Sequence, residues 1–196
     1  MSGEIMKRLL AISLLLSSTV LCAQEFKVGS KVADFALQDL DGKPVALSSL
    51  RGPITVVTFI ATQCPVSNGY NQRMKSLFKD YGPKDVKFVF VNANKNESAN
   101  EVRTHSKAAG FVFPVYKDAN NGVADRFGAE VTPESYVIDS GGVIRYHGSI
   151  DDSQNEARIR TRGLRLALDA VLADKPVEIT ETKAFGCSIK RARRTT

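Results

Sequence analysis

The chain has 196 residues, is 43% hydrophobic and 24% charged, and carries a formal net charge of +6. That length and balance suit one globular domain with a sizeable core, and they exclude a disordered, collagen-like or coiled-coil chain. Three cysteines are too few for a disulfide-scaffold miniprotein, and two histidines with no close Cys/His cluster leave no structural zinc site.

The chain opens on a targeting segment. Lys7-Arg8 precedes the apolar run Leu9–Leu16, and small and polar residues then lead to Ala23. A basic start, a short apolar stretch and a small final residue form a secretory signal, with cleavage expected after Ala23. The run is shorter than the ~18–20 residues of a membrane span. An uncleaved anchor and a lipidated Cys22 are the alternatives, and bulky Leu21 speaks against the second. The expected organisation is a signal peptide at 1–23, one domain at 24–180 and a tail at 181–196. The product is exported, periplasmic or secreted, or tethered to a membrane by one of those two alternatives. Cleavage leaves Cys64 and Cys187, and an exported chain permits one disulfide between them. Any such bridge ties the end of the chain to its front half.

After an irregular lead-in at 24–33, Phe35–Leu37 and Val45–Leu47 flank Asp41-Gly42, a hairpin signal. Ser48–Gly52 is a loop or single turn. Ile54–Ile60 is a β-branched, nearly unbroken apolar run, the pattern of a central parallel strand covered on both faces. Val66, Tyr70, Met74, Leu77, Phe78 and Tyr81 form a helical stripe that Gly82-Pro83 stops. Val86–Val91 is the next strand. Ser98 and Glu101 make a capping box for a helix ending near Ala109-Gly110. A short strand follows near Phe113–Tyr116, then a short helix turning Val123, Ala124 and Phe127 inward before Gly128. Ser135–Asp139 and Val143–Gly148 form a second hairpin around Ser140-Gly141-Gly142. A last helix runs from about Ala157 to Leu172, and Thr180–Cys187 belongs to the tail. With right-handed crossovers this order is an α/β, thioredoxin-like three-layer sandwich. It has a central mixed sheet, helices on both faces and an N-terminal β-hairpin extension.

The positive charge is partly local. Lys190, Arg191, Arg193 and Arg194 close the chain, and Arg158, Arg160, Arg162 and Arg165 punctuate the late helix. No aromatic stripe accompanies them and the chain is exported. They read as a frayed tail and a solvated helix face, and nucleic acid is not an expected partner.

The chemistry centres on Cys64. It follows the Ile54–Ile60 strand and precedes a helix, with Pro65 in the first turn, where its missing N–H costs nothing. A thiol placed there meets free backbone amides and the positive end of the helix dipole, and both favour thiolate. The bland alternative is a buried, inert cysteine. Ser67 stands three residues on, where a second cysteine would complete a C-x-x-C pair. Its hydroxyl can donate to a thiolate but cannot form a disulfide. Resolution must come from Cys187, from a small thiol or from a partner. The Phe185–Ile189 segment is short, carries Gly186 and has the makings of a tail that swings in and out. Cys187 as a redox partner, as a static staple and as an unpaired thiol all stay open. Thr132-Pro133, before a strand, would in this fold be a cis peptide facing the nucleophile, and Thr132 would pair with an extended substrate chain. His105 and His147 show no evident partner, Asp151-Asp152 read as a cap or solvated loop, and Asn96-Glu97-Ser98 matches a glycosylation acceptor by pattern alone.

Several stretches resemble the redoxin/AhpC-TSA superfamily. They are Asp34-Phe35-Ala36-Leu37, Asp41-Gly42-Lys43, Leu47–Gly52, Phe59–Pro65, Thr132-Pro133, Tyr136–Asp139 and Gly148–Asp152. The Phe185–Lys190 tail resembles that of a peroxiredoxin-like branch. Two departures bear on activity. The threonine that typical peroxiredoxins carry three residues before their reactive cysteine is Ala61 here, and their essential arginine aligns with Pro133. Peroxide reduction would then rest on the helix terminus with Thr62, Gln63 or Ser67. The resemblance implies an exported thiol-dependent oxidoreductase with Cys64 as nucleophile in thiol–disulfide exchange and Cys187 resolving. Thr132, Pro133, Ser67, Pro65 and Gln63 would shape the groove and the thiolate's surroundings. A peroxide reductase with Cys64 peroxidatic and Cys187 resolving is the alternative. A binding module with a structural disulfide is the second. The implied partners are thiol or disulfide proteins, or peroxide, with an external thiol reductant. No cofactor and no metal are expected; copper delivery would need a C-x-x-x-C pair or a Met/His set. Oligomeric state is left open.

Overall fold

A computed structural model describes residues 26–192, so the signal segment, Cys22, Arg193 and Arg194 lie outside the described residues. The first hairpin is β1 (Ala36–Gln38) and β2 (Pro44–Ala46). Its turn closes because Gly42 adopts φ +83° and the Asp39 carboxylate accepts the amides of Asp41 and Lys43, each at 2.9 Å. A single turn, α1 (Leu47–Leu50), leads into β3 (Ile54–Ile60). Every residue of β3 is buried. Its side chains alternate: Val57 and Phe59 enter one apolar cluster, and Ile54, Val56 and Ile60 enter the other.

The helix expected from Val66 to Tyr81 is two helices. α2 (Pro65–Gly69) and α3 (Asn71–Tyr81) meet at Tyr70. Gly69 is a poor helix former, and the Tyr70 amide donates to the Ser67 carbonyl three residues back at 3.0 Å, which tightens the turn. The Tyr70 hydroxyl donates to buried Asp151 at 2.8 Å and holds the break in place. β4 (Val86–Asn92), α4 (Ala99–Ala108), β5 (Val115–Lys117) and α5 (Gly122–Phe127) follow. The capping box of α4 is formed: Ser98 Oγ accepts the Glu101 amide at 3.2 Å and the Glu101 carboxylate accepts the Ser98 amide at 2.6 Å.

β6 (Val131–Thr132) precedes the second hairpin, β7 (Glu134–Ile138) and β8 (Ile144–Gly148). The last helix, α6 (Gly163–Leu172), starts later than the expected Ala157. Asp152 is the reason. After a single 3-10 turn at Glu156–Arg158, its carboxylate accepts the amides of Arg160 and Thr161 at 3.0 Å, and this keeps those two residues out of a helix. Gly163 then packs under the Tyr146 hydroxyl, where a Cβ would be only 2.6 Å away. β9 (Cys187–Ser188) ends the series.

The main sheet has seven strands in the order β2-β1-β5-β4-β3-β7-β8. β3, β4 and β5 are parallel, while β7, β8 and the first hairpin pair antiparallel. This is the α/β thioredoxin-like sandwich with a mixed sheet and an N-terminal hairpin. One face carries Phe26, Leu37, Phe127 and Tyr136, and the other carries Met74, Leu77, Val102, Leu164 and Leu168. Each such buried Leu or Phe contributes about 1.5–3 kcal/mol of transfer free energy.

The tail is docked, where a swinging Phe185–Ile189 segment was one of the readings left open and the cations after it were expected to fray. β9 pairs antiparallel with β6. Ile189 is buried and its amide donates to the Glu130 carbonyl at 2.8 Å. Lys190 bonds to Lys95 and Asn94, and Arg191 reaches the Ala129 carbonyl at 2.5 Å and Asp125 at 3.2 Å. Two of the four tail cations are therefore anchored.

Candidate active site

Cys64 is the residue at which strand geometry changes to helix geometry, with φ −91° and ψ 114°, and it caps α2. Its Sγ accepts the Ser67 amide at 3.3 Å. Pro65 occupies the first helical turn and is exposed. Ser67 is buried, and its hydroxyl accepts the Ala61 amide at 3.1 Å. Ser67 therefore reaches the sulfur through its main chain, with its hydroxyl engaged elsewhere. Gln63 is exposed and points the other way, its side chain bonding to Asn96 at 3.1 Å and Glu101 at 3.5 Å.

Cys64 and Cys187 are joined by a disulfide with Cα atoms 5.8 Å apart, across 123 positions of sequence. The two ends of the bond are unequally covered. Cys64 is 3% exposed, whereas Cys187 is only partly buried. The Thr132–Pro133 peptide is cis, and the Thr132 carbonyl oxygen lies 3.5 Å from Cys64 Sγ. Thr132 pairs with Cys187 in the β6–β9 ladder. The main-chain edge expected to receive an extended substrate thus carries the chain's own tail. Gly186 makes the approach possible: at φ +157° it passes so close to Thr132 that a Cβ would collide with that carbonyl.

Two buried carboxylates flank this arrangement. Glu134, next to Pro133, accepts the amides of Glu130 and Val131 at 2.8 and 3.0 Å, the Tyr136 hydroxyl at 3.1 Å and His147 Nε2 at 2.6 Å. Burial works to raise its pKa, but the bonds from His147 and the two amides outweigh it, and the carboxyl lies below its usual range. Glu97 accepts the amides of Thr62 and Gln63, directly before Cys64.

Neither histidine lacks a partner. His147 bonds to Glu134 and stacks on Tyr136, and His105 bonds to Asn68 at 2.8 Å, with burial pulling its pKa down. Asp151 is no solvated loop residue: both its oxygens meet Arg73 Nη1, at 2.8 and 2.9 Å, in a buried pair. Glu97, Glu134 and His147 escape a reading of the chain because each acts through groups from other elements. One signal was available. Asn92, Asn94, Glu97 and Lys117 cluster where β4 and β5 end, and ligand sites of such sheets lie at the carboxyl ends of strands.

The arrangement holds one electron-pair acceptor, the disulfide, beside an amide that can hold a departing thiolate. Among the described residues no three His, Cys, Asp or Glu side chains gather as metal ligands.

Comparison with known proteins places this geometry. The model of the AhpC/TSA family matches residues 28–147. The thiol-disulfide oxidoreductase ResA of Halalkalibacterium halodurans is 28% identical over 122 residues, 62% of this chain and 68% of that protein. An uncharacterized conserved protein from Geobacillus kaustophilus has a similar structure, with a TM-score of 0.80 and 31% identity over 87% of this chain and 95% of that one. A hypothetical protein from Sinorhizobium meliloti 1021 gives a TM-score of 0.78 and 32% identity over 86% of this chain and 97% of that one.

Proposed function

The chain belongs to the AhpC/TSA family, and from that premise we propose that it is an exported thiol–disulfide oxidoreductase whose working pair is Cys64–Cys187. It stands for a branch in which Cys64-Pro65-Val66-Ser67 replaces C-x-x-C and the Gly186–Lys190 tail brings the second sulfur. The observation that carries this reading is the bond between a buried, helix-capping sulfur and a partly buried tail sulfur. The similarity to ResA supports the same reaction class.

Exchange proceeds by thiolate attack on the accessible sulfur, and the leaving group of lower pKa departs faster. Both criteria choose the same bond polarity. A thiolate of an external dithiol attacks Cys187 Sγ and forms a mixed disulfide there. The Cys64–Cys187 bond breaks, and its electron pair stays on Cys64, where the Ser67 amide receives it. The reductant's second thiolate then attacks the reductant's own sulfur in the mixed disulfide and frees Cys187 as a thiolate. The reductant leaves as a disulfide, and two electrons have passed to the protein. In the working direction the Cys64 thiolate attacks a substrate protein's disulfide, and Cys187 attacks the resulting mixed bond. That releases the reduced substrate and restores Cys64–Cys187. Between these steps β9 leaves the Thr132 edge, which is then free to pair with the substrate chain.

Peroxide is the weaker substrate. Ala61 and Pro133 stand where the family's peroxidases carry Thr and Arg, and neither side chain has a donor to polarise a peroxide bond. The reduced protein is expected to consume hydrogen peroxide no faster than a free thiol in stopped-flow mixing. Oxidation several orders faster would make it a peroxidase.

The direct test of the exchange reading is trapping. Oxidised protein treated with glutathione, quenched in acid and peptide-mapped is expected to carry the adduct on Cys187 with Cys64 free. An adduct confined to Cys64 would reverse the assignment, and a disulfide inert to glutathione would make it a staple.

A further inference from the structure

Glu97 is 2% exposed. Its carboxylate accepts four N–H donors. Oε2 takes the Thr62 amide at 2.9 Å and Asn92 Nδ2 at 2.5 Å, and Oε1 takes the Gln63 amide at 3.0 Å and Asn94 Nδ2 at 3.2 Å. Every partner is a donor, so the position demands an acceptor-only group, an ionised carboxylate. Asn94 also turns its Oδ1 to the Lys190 amide at 2.7 Å, and the Lys95 amide donates to the Lys190 carbonyl at 2.9 Å. Lys117, itself buried, completes the cluster by donating to the Glu97 carbonyl at 2.7 Å and to Asn92 Oδ1 at 2.6 Å. None of these groups takes part in the exchange steps above.

We propose that Glu97 is a positioning residue for the Cys64–Cys187 pair. It holds the backbone just upstream of one sulfur and, through Asn94, the backbone just downstream of the other. It thereby sets how readily their bond opens. The proposal rests on the reading that this pair exchanges with outside thiols. Two effects act in one direction. The clamp keeps the two sulfurs facing each other, which favours the disulfide. The carboxylate, bonded to the amides of the two residues that directly precede Cys64, also sets a negative charge on that stretch of chain and opposes a second one at the Cys64 sulfur, which disfavours the dithiol.

Glu97→Gln keeps the shape but turns an NH2 group toward donors, and it removes the charge. Asn94→Ala keeps Glu97 and cuts the link to Lys190. Wild type and both variants are equilibrated with glutathione buffers, and the Cys64 thiolate of each is titrated by ultraviolet absorbance in a Cys187→Ser background. Glu97→Gln is expected to shift the equilibrium toward the dithiol at least tenfold, about 30 mV for a two-electron couple. It should also move the Cys64 titration to lower pH. Asn94→Ala should shift the equilibrium in the same direction by less. A Glu97→Gln protein that melts earlier yet keeps the wild-type equilibrium and titration would overturn the proposal and leave Glu97 a structural residue. If Glu97→Gln fails to fold, an unchanged equilibrium in Asn94→Ala overturns it. A wild-type disulfide that never equilibrates with glutathione is a different failure, that of the exchange reading itself.

Discussion

Gly186 shows how much a single residue decides here. The tail can lie on Thr132 only because nothing projects from Gly186 toward the Thr132 carbonyl. Gly186→Ala should push β9 off β6, slow disulfide formation in the reduced protein and cost about 1–3 kcal/mol, the usual range for overpacking. Timed thiol titration and urea unfolding read both effects. Glu134 gives a pH dependence with a definite sign. Its folded-state pKa lies below the ordinary 4.5. The stability it contributes is therefore complete above that value and is lost as pH falls through the lower folded-state pKa. Glu134→Gln should flatten the acid limb of a stability–pH curve; a curve identical to wild type between pH 6 and 3 would remove Glu134 from the account. Cys64 and Pro65 were legible in the chain because strand end, helix start and N1 proline are local signals. Glu97 and Glu134 were not, because a buried carboxylate declares itself only through donors brought in by other elements. Ser67 was half legible: its position was readable, but which of its atoms faces the sulfur was not.

At the scale of elements, local chemistry was the readable part. The Ser98–Glu101 box predicts and forms the start of α4, and Ser98→Ala should cost about 1 kcal/mol. Both hairpins carry their turn residues, and β3 shows its two-sided burial as an unbroken apolar run. The misread boundaries have non-local causes. The apolar stripe of Val66–Tyr81 continues through Tyr70, yet the helix breaks there to send the hydroxyl to Asp151, far along the chain. The start of α6 is delayed by the Asp152 carboxylate, which no periodicity reveals. The same loop carries the buried Arg73–Asp151 pair, with side chains 10% and 3% exposed. Removing Asp151 leaves the buried Arg73 with exposed Glu156, 3.4 Å away, as its counter-charge, so Asp151→Ala should cost about 3 kcal/mol, the low end for breaking a buried pair. Denaturant unfolding checks this, and a loss below about 1 kcal/mol would mean that water replaces the pair.

The whole molecule was legible as a topology and not as a closure. Alternating strands and helices with two hairpins gave the sheet and its layers. The cysteine count left a Cys64–Cys187 bridge open, but the docking of the tail was not readable, because it rests on the short β6–β9 ladder and on scattered bonds to Glu130, Lys95, Asn94, Asn121 and Asp125. The bridge closes a loop of 123 positions. On the chain-entropy account such a closure is worth about 5 kcal/mol. Reduction should therefore lower the melting temperature while the fold persists, since Ile189 stays in the core and Lys190 keeps its bonds to Lys95 and Asn94 when β9 leaves the Thr132 edge. In the disulfide form the tail covers the Thr132 edge; the reduced form is expected to be the less stable of the two, with that edge able to open.

All of this depends on Cys64 carrying the low-pKa sulfur. In Cys187→Ser, where Cys64 is the sole thiol of the described residues, its ionisation can be followed by absorbance at 240 nm from pH 4 to 10. The expected midpoint lies below about 7.5, within the range of cysteines at helix starts. A midpoint at or above about 8.5, the value of a free cysteine, would contradict the account and reduce the Cys64–Cys187 bond to a staple.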